Sequence, residues 1–121
     1  MRILYVDDDT DLLEMSRMVL TSLGHECRTS QDPLDALEVV SGFDPDIILL
    51  DIRMPGMSGH KVAEVLRQRG TRAFLVAVTG YASSADRRAA VDAGFHRYVA
   101  KPATIESLRQ IMELGAAHHA R

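Results

Sequence analysis

The chain has little of what small proteins use when their cores fall short. It has a single cysteine, Cys27, in 121 residues, so no intramolecular disulfide can form, which fits a reducing compartment. One domain of this length buries roughly two-thirds of its unfolded surface and needs no cross-link. No apolar run approaches the roughly 20 residues of a membrane span. Met1-Arg2 leads directly into a strand pattern, not into a signal peptide. A cytoplasmic, non-membrane protein is therefore expected. The formal net charge of −3 gives no basic surface for direct nucleic-acid binding. The five histidines, His25, His60, His96, His118 and His119, show no metal-ligand spacing, and the last two fall in a tail expected to be solvated. No phosphate-cradling Gly-x-Gly follows the first apolar run, and no nucleotide P-loop is present.

What the chain does have is alternation. Residues 2–6 are an apolar run ending in acids, which is a buried-strand signal. From Thr10 to Leu23 the spacing turns helical, with Leu12, Leu13, Met15, Val19, Leu20 and Leu23 as one stripe and Gly24 as the stop. Residues 25–30 read as a weak edge strand. Asp32-Pro33 opens a second helix that runs to Gly42, with Leu34, Leu37 and Val40 at helical spacing. Residues 46–50 are the most hydrophobic strand. Ser58 caps a helix over 59–69, and 73–78 form a fourth strand. Ser83 or Ser84 caps a helix ended by Gly94, 97–100 form a fifth strand, and a last helix covers 104–116. Residues 117–121 lack an apolar pattern and are expected to fray. Met15, Met18, Met54 and Met57 are expected in core or loop packing. Five strand–helix units without a linker or repeat predict a single α/β domain, a parallel sheet with helices on both faces.

In open parallel sheets, ligands bind beyond the carboxyl ends of the strands. Four of the five ends carry chemistry: Asp7-Asp8-Asp9, Asp51, Thr79 and Lys101. Asp51 ends the run Ile47-Ile48-Leu49-Leu50, and burying its charge unpaired is costly. Two bare charges about 4 Å apart repel by about 4 kcal/mol at an effective dielectric near 20, so converging carboxylates need a cation. Asp51 is a metal ligand, a nucleophile, or both. As a nucleophile it would form an aspartyl phosphate. Asp7 and Asp8 would help to hold Mg²⁺, which takes oxygen ligands and few carboxylates, and the backbone carbonyl of Arg53 could complete that shell. Lys101 would bind a phosphoryl oxygen as a point charge and Thr79 would donate a hydrogen bond to another. Phosphoryl transfer asks for little beyond such positioning and charge.

Four stretches carry a resemblance over essentially the whole chain: Val6-Asp7-Asp8, Leu50-Asp51-Ile52-Arg53-Met54-Pro55-Gly56-Met57-Ser58-Gly59, Val78-Thr79-Gly80, and Tyr98-Val99-Ala100-Lys101-Pro102. Together they are similar to the receiver domain of bacterial response regulators, the CheY-like domain of two-component signalling. The resemblance implies a flavodoxin-like (βα)5 fold, strand order 2-1-3-4-5, with the receiver over 1–116. It implies Asp51 as phosphoacceptor, Asp8 as direct metal ligand, Asp7 acting through water, and Thr79 and Lys101 as phosphate-sensing residues. It implies a cis bond before Pro102 and a switch at Tyr98, although a half-buried packing tyrosine suits that position nearly as well. Its partners would be a histidine kinase or histidine phosphotransfer protein upstream and a partner protein downstream. The protein would be a monomer, with room for a phosphorylation-dependent dimer through the fourth helix and fifth strand. It would be a self-phosphorylating switch, not a turnover enzyme.

The competing readings are weaker. Asp7-x-Asp9-x-Asp11 looks like the start of a calcium loop, but Leu12 stands where the sharp-turn glycine belongs. A small Mg²⁺-dependent phosphatase would also begin Asp-x-Asp, but Asp11 departs from that pattern and the chain is short for a cap. Asp9 reads as a helix-start residue rather than a ligand. Arg87-Arg88 reads as a solvated face where partners could dock. A start at Met1 favours a stand-alone receiver. The stretches Val78 to Ala82, Asp86 to Arg88 and Ala93 to Phe95 are similar to receivers attached to hybrid kinases, and keep that origin open. The resemblance also implies that side chains two positions past Asp51 and Thr79 set the phosphoryl lifetime, and the bulky Arg53 and Tyr81 found there are expected to hinder an attacking water.

Overall fold

The computed structural model describes residues 1–80, 83–101 and 103–120. β1 (Arg2–Val6), β2 (Glu26–Ser30), β3 (Ile47–Leu50), β4 (Phe74–Thr79) and β5 (Arg97–Ala100) alternate with α1 (Thr10–Ser22), α2 (Pro33–Phe43), α3 (Gly59–Gln68), α4 (Ser84–Ala93) and α5 (Ile105–His119). All pairings are parallel and the order is β2-β1-β3-β4-β5. No helix among the described residues is long and apolar enough to cross a membrane.

The strands sort their side chains with period two. Leu4, Val6, Ile48, Leu50, Leu75 and Ala77 pack with Leu37 of α2, Val62 and Leu66 of α3 and Ala90 of α4. Ile3, Tyr5, Ile47, Leu49, Val76 and Val78 pack on the other face with Leu13 and Leu20 of α1 and Leu108 and Ile111 of α5. Burial on both faces explains the unbroken hydrophobic runs. Full burial of one such side chain is worth about 2 kcal/mol. β2 and β5 lie at the edges and are only partly buried, so β2 reads weakly for a physical reason.

The helix starts follow their capping residues. Asp9, Asp32, Ser58, Ser83 and Thr104 each accept a backbone N–H of their own first turn. Three expectations need correction. α2 passes Gly42 and ends at Phe43, closed by Asp44 with its left-handed φ of 50°, because Phe43 is core and lies under the Arg28 guanidinium. Met15, Met18 and Leu34 are 66%, 61% and 62% exposed, so the apolar stripes of α1 and α2 are wider than the faces the sheet covers.

The third correction concerns the tail, which is helical to His119. A Cβ on Gly115 would lie 2.3 Å from Ile47 Cδ1, so the missing side chain lets α5 press onto the start of β3. Beyond it, His118 packs on Phe74 and His96, and His119 Nε2 donates to the Asp46 carbonyl at 2.7 Å. Tertiary contacts hold a turn that has no apolar periodicity of its own.

Candidate functional site

The sheet order reverses between β1 and β3, and these neighbours end side by side with Val6 opposite Leu50. Asp51 N–H donates to Val6 O at 2.9 Å. The next residue on each strand, Asp7 and Asp51, therefore emerges at one point. Asp7 is fully buried and Asp51 is 5% exposed. Asp8 is exposed beside them, and one carboxylate oxygen from each of the three lies within 4.8 Å of the others.

Lys101 reaches this point from the far edge. Its N–H donates to Thr79 O at 2.9 Å, which fixes the chain just after β5. Its Nζ lies 2.7 Å from Asp7 Oδ2 and 3.3 Å from Asp51 Oδ2. The other Asp7 oxygen accepts the Asp9 N–H at 2.9 Å, and Asp51 Oδ1 faces the Arg53 N–H at 3.4 Å. Asp9 also accepts the Leu12 N–H, so it is a helix-start residue.

Burial is the main reason the Asp51 carboxyl titrates above the usual range. Asp7 adds to that, while Lys101 and the Arg53 N–H oppose it. Burial alone would lower the Lys101 ammonium, but its bond to Asp7 and the charges of Asp7 and Asp51 outweigh burial and raise it. Two carboxylates share one ammonium here, with Asp8 outside that arrangement. Such an oxygen-rich, under-neutralised cluster fits a hard divalent cation.

Thr79 is 1% exposed at the end of β4. Tyr98 is half-buried, and its hydroxyl is buried near Thr79 and Asp86. Burial first and Asp86 second raise the pKa of that phenol. The Arg87 guanidinium lies over its ring at 5.7 Å. The sequence-derived residues Asp7, Asp8, Asp51, Thr79, Lys101 and Tyr98 thus converge on one end of the sheet. Pro102, expected in cis, and Tyr81 lie outside the described residues.

Two features escaped sequence reasoning. A Cβ on Gly59 would lie 2.3 Å from Asp51 O and 2.9 Å from Ile52 Cα, and the Gly59 N–H donates to Ile52 O at 2.9 Å. α3 thereby braces the backbone of Asp51. A glycine in a first helical turn, where it is intrinsically unfavourable, was the available signal. The enclosure of Tyr98 by Asp86 and Arg87 left no such signal. Two grooves of about 540 Å³ flank the β3–α3 loop, and neither is lined by Asp7, Asp51 or Lys101.

The fold and sequence have counterparts among known proteins. Residues 3–113 match the family model described as response regulator receiver domain. The chain is 34% identical over 116 residues to the sensor histidine kinase RcsC of Escherichia coli K12, covering 96% of this chain and 12% of that protein. It is 37% identical over 108 residues to the response regulator MprA of Mycobacterium leprae, covering 89% and 47%. A CheY-like receiver domain structure from Methanospirillum hungatei superposes with a TM-score of 0.91 at 28% identity, covering 98% and 96%. The chain therefore spans less than half the length of these two curated relatives.

Proposed function

Because the chain belongs to the response regulator receiver family, and so acts as a receiver in phosphorelay signalling, we propose that Asp51 is its phosphoacceptor. The observation that carries this is Asp51 itself. It is a nearly buried carboxylate at the strand-order reversal, 3.3 Å from the Lys101 ammonium and next to two further acids.

An Asp51 oxygen attacks the phosphorus of a phosphohistidine on a kinase or phosphotransfer protein. The new O–P bond forms as the P–N bond breaks, and the electron pair leaves with the imidazole nitrogen, which takes up a proton. Lys101 then binds a phosphoryl oxygen and relinquishes part of its hold on Asp7 and Asp51. Thr79 donates its hydroxyl to another oxygen. Asp7, Asp8, Asp51 and the Arg53 carbonyl would hold Mg²⁺, which supplies positive charge to the transferred oxygens. Water later attacks the phosphorus, the O–P bond to Asp51 breaks, and inorganic phosphate leaves. The domain makes and loses its own modification and turns over no other substrate.

A protein donor suits the rim. The exposed Met15 and Met18 stand on α1, which begins just after the acids, and the exposed Ile105 begins α5 just after Lys101. The loaded phosphoryl group draws Thr79 inward. Tyr98, closed in beside it, changes packing under Arg87, and the α4–β5–α5 surface shifts population toward a form that a downstream protein reads. The setting is cytoplasmic, with no direct nucleic-acid contact, and the unphosphorylated domain is a monomer. The test is phosphotransfer from a phosphohistidine donor to wild type and to Asp51→Asn. Loss of transfer in the variant supports the reading, and wild-type transfer in the variant overturns it.

A further inference from the structure

At the end of the sheet opposite the carboxylates, three histidines meet. His96 lies flat on Phe74, with ring centroids 5.1 Å apart and planes at 14°. His118 tilts against both, 4.7 Å from His96 and 5.2 Å from Phe74. His119 meets His118 edge-on at 5.1 Å. The Asp46 carbonyl that accepts His119 Nε2–H also accepts the Phe74 N–H at 2.8 Å. Imidazoles thus tie the last turn of α5 to the beginnings of β3 and β4 and to the residue before β5.

The proton on His96 is placed by its neighbours. His96 N–H donates to Leu75 O at 2.8 Å, and Leu75 N–H donates to His96 Nδ1 at 3.0 Å. Nδ1 is therefore an acceptor, and the neutral ring carries its proton on Nε2. That tautomer leaves Nε2 without a lone pair for a metal. An imidazolium has no acceptor nitrogen. A proton on Nδ1 would face the Leu75 N–H and strand the amide of a fully buried residue.

Among the described residues, the charged or titratable groups that act on His96 are His118, Arg67 and His119, and none is a counterion. From α3, Arg67 lies against the backbone before β5, where a Cβ on Gly94 would meet its Cγ at 2.8 Å. From α5 come His118 and His119, and Arg97 follows in the chain. The Asp46 carboxylate accepts the Arg2 N–H at 2.8 Å. Burial first, then His118, Arg67 and His119, lower the pKa of His96 below the usual imidazole value.

We propose that His96, His118 and His119 form a proton-sensitive latch that holds the last turn of α5 on the sheet, closed while His96 is neutral and opened when it is protonated. Opening severs the Leu75 contact and sets like charges against each other across the imidazole stack. Leu108, Ile111 and Met112 keep the rest of α5 docked. The neutral form is favoured in the fold and the unfolded segment takes the proton first. The latch is therefore complete above the ordinary imidazole pKa and is lost as pH falls through the lowered one.

The test is hydrogen exchange on the full chain at about pH 7.5 and about pH 5.5, one unit either side of the ordinary imidazole value, corrected for intrinsic rates. In wild type, protection of residues 113–119 and of the Leu75 amide falls several-fold on acidification, up to the ceiling of about tenfold that one imidazole can supply over this range. His96→Gln supplies an acceptor oxygen that does not titrate, and its fall is less than about twofold. An equal fall in both proteins, or none in wild type, overturns the latch. Should the variant not fold, NMR titration of wild type decides. A His96 midpoint below about 6.5 with the proton on Nε2 supports the proposal, and a higher midpoint or an Nδ1–H tautomer overturns it.

Discussion

The Lys101 ammonium lies 2.7 Å from the fully buried Asp7 carboxylate, and the same nitrogen serves Asp51 at 3.3 Å. One side chain from the far edge of the sheet thus bridges two acids from its centre. Lys101→Met removes that charge and leaves both acids facing each other. Loss of one partner of a buried pair costs about 3–5 kcal/mol, and the part-exposed lysine brings the expected loss to about 2 kcal/mol. Denaturant unfolding without metal measures it. Added Mg²⁺ should recover much of the loss, because a ligand that binds only the fold stabilises it by mass action.

The raised Asp51 carboxyl gives the metal-free domain a pH slope of definite sign. The folded state holds the Asp51 proton more tightly than the unfolded chain does. This contribution is complete below the ordinary carboxyl pKa and is lost as pH rises through the raised one. Asp51→Asn should therefore be more stable than wild type near neutral pH without metal, by a few degrees in Tm, with the gap closing toward acid pH. It should also gain less from Mg²⁺. Thermal unfolding across pH, with and without Mg²⁺, reads both effects.

Gly59→Ala places a methyl group 2.3 Å from the Asp51 carbonyl oxygen. The neighbour is backbone and cannot swing away. Overpacking of this kind costs about 1–3 kcal/mol. The displaced loop carries Asp51, the proposed phosphoacceptor, so Mg²⁺ affinity and the rate of phosphorylation should fall as well. Equilibrium unfolding and a metal titration on the folded variant check the two effects separately.

Gly115→Ala makes an equally close approach, but to the end of the Ile47 side chain. Its cost, again about 1–3 kcal/mol, should be partly relieved by Ile47→Val, which deletes the offending Cδ1. A double-mutant cycle should give a coupling of about 1 kcal/mol in that direction. Additive effects would place the strain elsewhere.

Most of the architecture was legible because local and tertiary preferences agree. β1, β3 and β4 are apolar on both faces and end in polar residues, and Asp9, Asp32, Ser58 and Ser83 announce helix starts that the structure keeps. The carboxylates could be placed together because strand ends in a parallel sheet share one rim. The end of α5 could not be read, since Gly115, His118 and His119 meet Ile47, Phe74, His96 and Asp46, all distant in sequence. Nor could the exposure of Met15 and Leu34, because an apolar side chain does not disclose how much of its helix the sheet covers. The setting of Tyr98 depends on Asp86 and Arg87 closing over it from α4.

The most direct test of the account is phosphosite mapping of the wild-type chain by mass spectrometry after incubation with a small acyl phosphate and Mg²⁺. A single hydroxylamine-labile phosphoryl group on the peptide containing Asp51, absent without Mg²⁺ and absent in Asp51→Asn, is the predicted result. A phosphoryl group on any other residue, or wild-type labelling of Asp51→Asn, would contradict it.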